Sequence, residues 1–225
     1  MTAEGSDKFH RTLEKGSHPP LEPEFPRRAA LTLALVASLV ACRSTPEPPP
    51  CPRGFSMDEA RTGVLLDALS RVPEGRAARD AAKSSPFPRV CFGPAAVSAL
   101  TSEGVIMLDA SLGEGEAAAR LGHLLMHVAR GSPLVLPDDR AGCDAAVDRA
   151  LAAEADALAL ELRLRRALGV ASPKIPYAFE EEHWKVEPEA RTPLVLAYLR
   201  AHPDGAPGLD ALGAGYARRC REARP

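Results

Sequence analysis

The sequence predicts a helix-rich α+β domain in which a small sheet packs against a central pair of helices. Two long segments, 114–130 and 144–168, carry apolar residues at helical intervals and end at Gly131 and Gly169. Ahead of them, two short apolar runs, 89–92 and 104–109, have the length of buried strands rather than of helices. The 225-residue chain is 45% hydrophobic and 26% charged, which suits a globular protein with one good core. With 28 Lys+Arg against 30 Asp+Glu there is no cationic excess to neutralise phosphates, which argues against nucleic acid as a partner. At 4% aromatic residues, base-stacking platforms and aromatic-girdled membrane barrels are also disfavoured.

The first element is an address. Arg27 and Arg28 precede an apolar run over 29–41. That run is shorter than the roughly 20 residues a spanning helix needs, and it fits the roughly 7 to 15 of a secretory signal. Its end, Leu39-Val40-Ala41-Cys42, resembles the bacterial lipobox, whose cysteine becomes lipidated as the signal peptide is cut away. The resemblance implies a signal peptide over 1–41, with a polar leader over 1–26 that is unusually long. It also implies a mature chain that begins at a lipidated Cys42 and is anchored to a membrane by its acyl chains. Arg43, in place of the aspartate that retains enterobacterial lipoproteins at the inner membrane, implies the outer membrane, facing the periplasm. Residues 42–55 are Pro-rich and read as a stiff spacer. The remaining cysteines, Cys51, Cys91, Cys143 and Cys220, form an even set in a compartment that permits disulfides, with three connectivities open beside unpaired buried thiols.

The folded domain is expected over 56–225. Ser56 and Glu59 have capping-box spacing ahead of Ala60, Val64, Leu65, Ala68 and Leu69, which predicts a first helix. A charged segment over 74–83 predicts a second, ended by Ser84-Ser85-Pro86. The two strands follow, and Ser111 to Glu114 repeats the capping-box spacing at the start of the 114–130 helix. A loop over 132–142 leads to the 144–168 helix, after which Pro173 and Pro176 forbid continuation. Residues 178–190 read as loop or irregular helix. Thr192-Pro193 reads as an N-cap and first position of a helix to Ala201, and Pro207 as the start of a last one ending near Arg221.

Within this frame one constellation suggests chemistry. His123 and His127 stand four apart, so both project from one helix face within reach of a single ion. Glu116 and Arg120 share that face, beside the apolar stripe. Glu154, in Ala153-Glu154-Ala155-Asp156, supplies a carboxylate from the next helix. Two histidines and a glutamate leave one position open on a tetrahedral ion, as catalytic zinc requires. The order strand, HxxxH helix, loop, and helix with Glu-Ala-Asp resembles the gluzincin metallopeptidases over about 89–168. The resemblance implies a zincin-like fold, zinc held by His123, His127 and Glu154, and Asp156 orienting a ligand histidine by hydrogen bond.

The departure from that family is Leu124, which stands where gluzincins carry the glutamate that takes the proton of the metal-bound water. Without it, hydrolysis should fall by orders of magnitude, so the sequence predicts no catalytic residue in the motif. Glu180, Glu181, Glu182 and Tyr177 are candidate substitutes if their segment folds over the site, and His183 and His202 are alternative ligands. The leading expectation is an exported, lipid-anchored envelope protein, catalytically impaired, that binds metal and a peptide or envelope protein in a groove beside the strand at 105–108. An active zinc peptidase with a relocated base and a metal-free helical scaffold are the alternatives. No phosphate-binding glycine loop and no GxSxG elbow is present.

Overall fold

The computed structural model describes residues 49–83, 87–94 and 98–223. The signal peptide, Cys42 and the spacer up to residue 48 lie outside the described residues. The elements run β1 (Ser56–Met57), α1 (Glu59–Ser70), α2 (Pro73–Ala82), β2 (Val90–Gly93), β3 (Ala99–Leu100), β4 (Ile106–Asp109) and α3 (Glu114–Arg130). After a 3-10 turn at Arg140–Gly142 come α4 (Cys143–Ala167), α5 (Glu180–Lys185), α6 (Pro188–Ala201) and α7 (Leu212–Ala223). The chain is thus helix-rich α+β with one small mixed sheet. Among the described residues no helix is long and apolar enough to cross a membrane.

The helix starts differ from the sequence expectation in an instructive way. Ser56 belongs to β1, paired with Phe92, and α1 is capped by Asp58, whose Oδ1 accepts from the Arg61 amide at 2.8 Å. Likewise Ser111 does not cap α3. Its amide and hydroxyl both donate to Asp109 Oδ1, and the helix starts behind Gly113 with no side-chain cap. In both places a neighbouring aspartate takes over the local hydrogen bonding, capping α1 in one case and holding Ser111 itself in the other, which capping-box spacing alone does not register. Helix α6 begins at Pro188 rather than at Thr192, so Pro193 lies inside it. Pro193 and Glu189, whose carbonyl loses its helical partner to the missing N–H, are both exposed. The last helix begins at Leu212, not at Pro207.

The sheet order is β1-β2-β4-β3, with β2 and β4 parallel and both outer strands antiparallel to their neighbours. Its inner strands are almost wholly buried, as their unbroken apolar runs require. One core lies between this sheet and α1, α2 and α3, built on Leu65, Leu69, Ile106, Leu108, Leu121 and Leu125. A second lies beyond α4, where Leu151, Leu158 and Leu162 meet Tyr177, Phe179, Val195, Leu199 and Tyr216. Helix α4 is therefore covered on both sides, which explains why its Ala/Leu-rich sequence lacks a single apolar stripe.

Gly122 lies where α3 meets α4. A Cβ there would lie 2.4 Å from Leu164 Cδ1, so any larger residue would require that side-chain end to shift. His123, the next residue, turns its ring to the charged face of α4.

Two disulfides, Cys51–Cys91 and Cys143–Cys220, select one of the three connectivities. They point to an oxidising, exported environment. The first ties the spacer's end to β2, and the second ties the start of α4 to α7.

Candidate metal centre

The α3 face that carries Glu116, Arg120, His123 and His127 is turned inward, and all four side chains are buried against α4. Glu154 and Glu161 meet it from α4, separated by two helical turns and therefore on one face. His123 Nε2 and His127 Nε2 are 3.1 Å apart, and Glu154 Oε2 lies 3.5 Å from the first and 3.3 Å from the second. A tetrahedral ion with bonds of roughly 2.0 to 2.2 Å spaces its ligand atoms roughly 3.3 to 3.6 Å apart, so this triangle of donors has the size that such an ion requires. The residues fit a metal: two imidazole nitrogens and one carboxylate oxygen converge, and among the described residues this trio is the group able to hold one.

The remaining nitrogen of His123 fixes its tautomer. Nδ1 lies 3.1 Å from Glu161 Oε2, so an N–H there donates to the carboxylate and Nε2 offers its lone pair to the site. Glu161 is fully buried, accepts from Arg165 Nη2 at 2.6 Å and the Tyr177 hydroxyl at 2.9 Å, and forms an ion pair with Arg120 Nη1 at 3.1 Å. Burial alone would raise the pKa of Glu161, but the two guanidiniums and His123 outweigh it and hold the carboxyl far below the ordinary range. Glu154 follows the same logic. Burial pushes it up, while hydrogen bonds and positive charge from His123 and His127 bring it well below the usual carboxylate value. For His123 burial opposes protonation, and the hydrogen bonds to Glu154 and Glu161 reverse that, raising its affinity for a proton.

The structure brings His123, His127 and Glu154 together and leaves Asp156 out. Asp156 is half-exposed and pairs with Arg130 at 3.0 Å, so the orienting role falls to Glu161. One residue pitch decides this: Asp156 stands two positions after Glu154, about 200° around the helix, whereas Glu161 stands seven after it and returns to the same side. Of the candidate substitute bases, Tyr177 lines the cavity beside the trio, but its hydroxyl donates to Glu161. Glu180 lies 3.7 Å from Arg165, and Glu181 and Glu182 pair with Lys185 on the surface. His183 is fully buried beside Trp184, and His202 stacks on Tyr198, both away from the trio.

A cavity of about 1120 Å³ opens beside the three ligands. Its described lining includes Leu124, the β3 residues Ala99 and Leu100, and Tyr216 from α7. Apart from Glu154, the carboxylates on that lining are Glu103 and Asp210, both exposed. The groove expected beside residues 105–108 is not available, because β4 is paired on both sides, by β2 and by β3. β3 is the outer strand there, and it is the one that borders the cavity.

Comparison of the chain with protein-family models, with curated proteins and with solved structures finds no match in any of the three. Any assignment of role rests on the site itself.

The residues the sequence reading missed are Glu161 and Tyr216. Glu161 had a usable signal, since it repeats the Glu154 face two turns later. Tyr216, which donates a hydrogen bond to Glu154 Oε1, comes from 62 residues away and left no local trace.

Proposed function

We infer that this chain is an exported, lipid-anchored envelope protein whose domain keeps a zincin-like metal centre and peptide cleft but binds rather than cleaves. The observation that supports it most strongly is the convergence of His123, His127 and Glu154 on one cavity wall, with Leu124 in the place of a general base. Leu124 is buried among apolar side chains at 4% exposure. It has no proton to give or take, so a water on the metal would face hydrocarbon where hydrolysis needs a carboxylate.

The donor chemistry favours zinc, which accepts mixed imidazole and carboxylate ligands in fourfold coordination. Bound there, zinc would supply a Lewis-acid contact for a carbonyl or carboxylate. His123, His127 and Glu154 would hold it, and Glu161 would keep the His123 ring oriented. An extended peptide would add to the free edge of β3, exchanging main-chain hydrogen bonds with Ala99 and Leu100 as it crosses the centre. Cys42 and the Pro-rich spacer would keep this cleft close to a membrane surface.

The test is metal analysis of the full chain, purified from membranes in detergent, next to His123→Ala and Glu154→Ala. The expected result is near-stoichiometric zinc in the parent and none in either variant. A folded parent that takes up no zinc from zinc-supplemented buffer overturns the metal centre, and a Cys42→Ala variant that still fractionates with membranes overturns the anchor.

A further inference from the structure

A glutamate reaches a metal through three side-chain torsions, and burial of its backbone does not settle which oxygen it offers. In this site the choice is already made. Glu154 turns Oε2 toward the two histidines, while Oε1 accepts a hydrogen bond from the hydroxyl of Tyr216. Tyr216 is 3% exposed and packed into the second core, so its hydroxyl is held by the ring and not by its own torsions. It stands on α7, the last helix. Cys220, one turn beyond it, is bonded to Cys143 at the first position of α4, the helix that carries Glu154. The disulfide therefore links the helix that supplies the ligand to the helix that restrains it.

We propose that Tyr216 is a positioning residue of the metal centre, holding Glu154 as a one-oxygen ligand, and that the Cys143–Cys220 disulfide keeps it in place. The inference rests on the metal-binding reading. Its chemical content is a limit on coordination. With Oε1 occupied by the phenol, the carboxylate ligates through Oε2 alone and one position remains open for a ligand in the cleft. Without the phenol, Oε1 is free to swing onto the ion, and the open position is lost to a bidentate carboxylate. Metal affinity and coordination number are thereby coupled to the disulfide.

The experiment measures zinc affinity by competition with a chromophoric chelator, and the visible spectrum of the cobalt-substituted protein, on the full chain in detergent. Tyr216→Phe keeps the ring and removes only the hydroxyl. Expected are zinc binding weaker by about ten-fold or more, a cobalt spectrum of lower intensity as coordination rises above four, and metal-free thermal unfolding close to the parent. A merely structural role would move the unfolding and leave the spectrum alone. Zinc affinity and cobalt spectrum equal to the parent overturn the proposal. The Cys143→Ala/Cys220→Ala variant leaves Tyr216 itself untouched and should shift both readouts the same way; no shift there overturns the tie, and it supplies the second test if Tyr216→Phe does not fold. A parent chain that binds no metal sinks the metal reading and this inference with it, whereas metal held equally by the parent and Tyr216→Phe sinks this inference alone.

Discussion

Replacing Glu161 by glutamine removes one negative charge and almost no volume from the interior. Four groups converge on that carboxylate: Arg165 Nη2, His123 Nδ1 and the Tyr177 hydroxyl by hydrogen bonds at 2.6, 3.1 and 2.9 Å, and Arg120 Nη1 by an ion pair at 3.1 Å. An amide offers one acceptor oxygen, and its own N–H groups point at the donors it replaces. Arg165 keeps other contacts, to Ile175 O at 2.8 Å and to the carboxylates of Glu180 and Glu116 at 3.7 and 3.8 Å. Arg120, whose side chain is 9% exposed, loses its ion pair and keeps Tyr177, whose ring lies 5.8 Å away, and the more distant charge of Glu116. Most of the cost is therefore that of one buried guanidinium left unpaired, about 3–5 kcal/mol. For a domain of this size each kcal/mol lowers Tm by roughly 2–4 °C, so Glu161→Gln should melt about 10 °C below the parent in a thermal scan by circular dichroism of the metal-free protein. Adding Arg120→Met should recover much of the loss, because a pair removed together leaves no orphan charge. A Glu161→Gln variant that melts with the parent, or a double variant that melts lower still, would refute the account of Glu161 as the acceptor that holds this cluster together.

Two other outcomes follow from the same structure. His183 is fully buried with neither ring nitrogen bonded, and burial, reinforced by Arg191 and Arg163, lowers its pKa from 6.5 to about 4. Since the unfolded chain then binds the proton more readily, stability is full above pH 6.5 and falls as pH drops toward 4, by roughly 3 kcal/mol in total. Urea titrations at pH 7 and pH 4.5 should show His183→Phe losing less stability than the parent over that interval; equal losses would remove His183 from the explanation. Leu124→Glu places a carboxylate on the cleft wall beside the histidines, so the zinc-loaded variant should acquire chelator-sensitive cleavage of unstructured peptides that the parent lacks. A folded, zinc-loaded Leu124→Glu chain with no such cleavage would count against a peptidase-derived cleft.

Local chemistry made much of the fold legible. The 114–130 helix begins and ends where its apolar period and Gly131 put it, and the 89–92 and 104–109 runs are strands within a residue or two. The His123–His127 pair and Glu154 were readable as a trio because helical spacing puts each on a known face. The capping-box reading failed at Ser56, where Asp58 caps the helix instead, and at Ser111, which donates to Asp109 and leaves α3 without a side-chain cap. The expected start at Thr192 gave way to one at Pro188. The reading of Asp156 failed as well, since its two-residue offset from Glu154 turns it toward water and Arg130.

The amino-acid sequence by itself determined what depends on near neighbours: the helix faces, the buried strands, the two histidines on one side of α3 and the apolar Leu124 between them. Only the tertiary structure decided which distant groups meet them. The packing of α3 on α4 brings Glu161 to His123. The Cys143–Cys220 bond joins residues separated by 77 positions, and on the same helix as Cys220, Tyr216 meets Glu154. The pairing of β4 on both edges moved the free strand edge to β3. Such choices arise from packing and ion pairing between segments far apart in the chain, and no local periodicity encodes them.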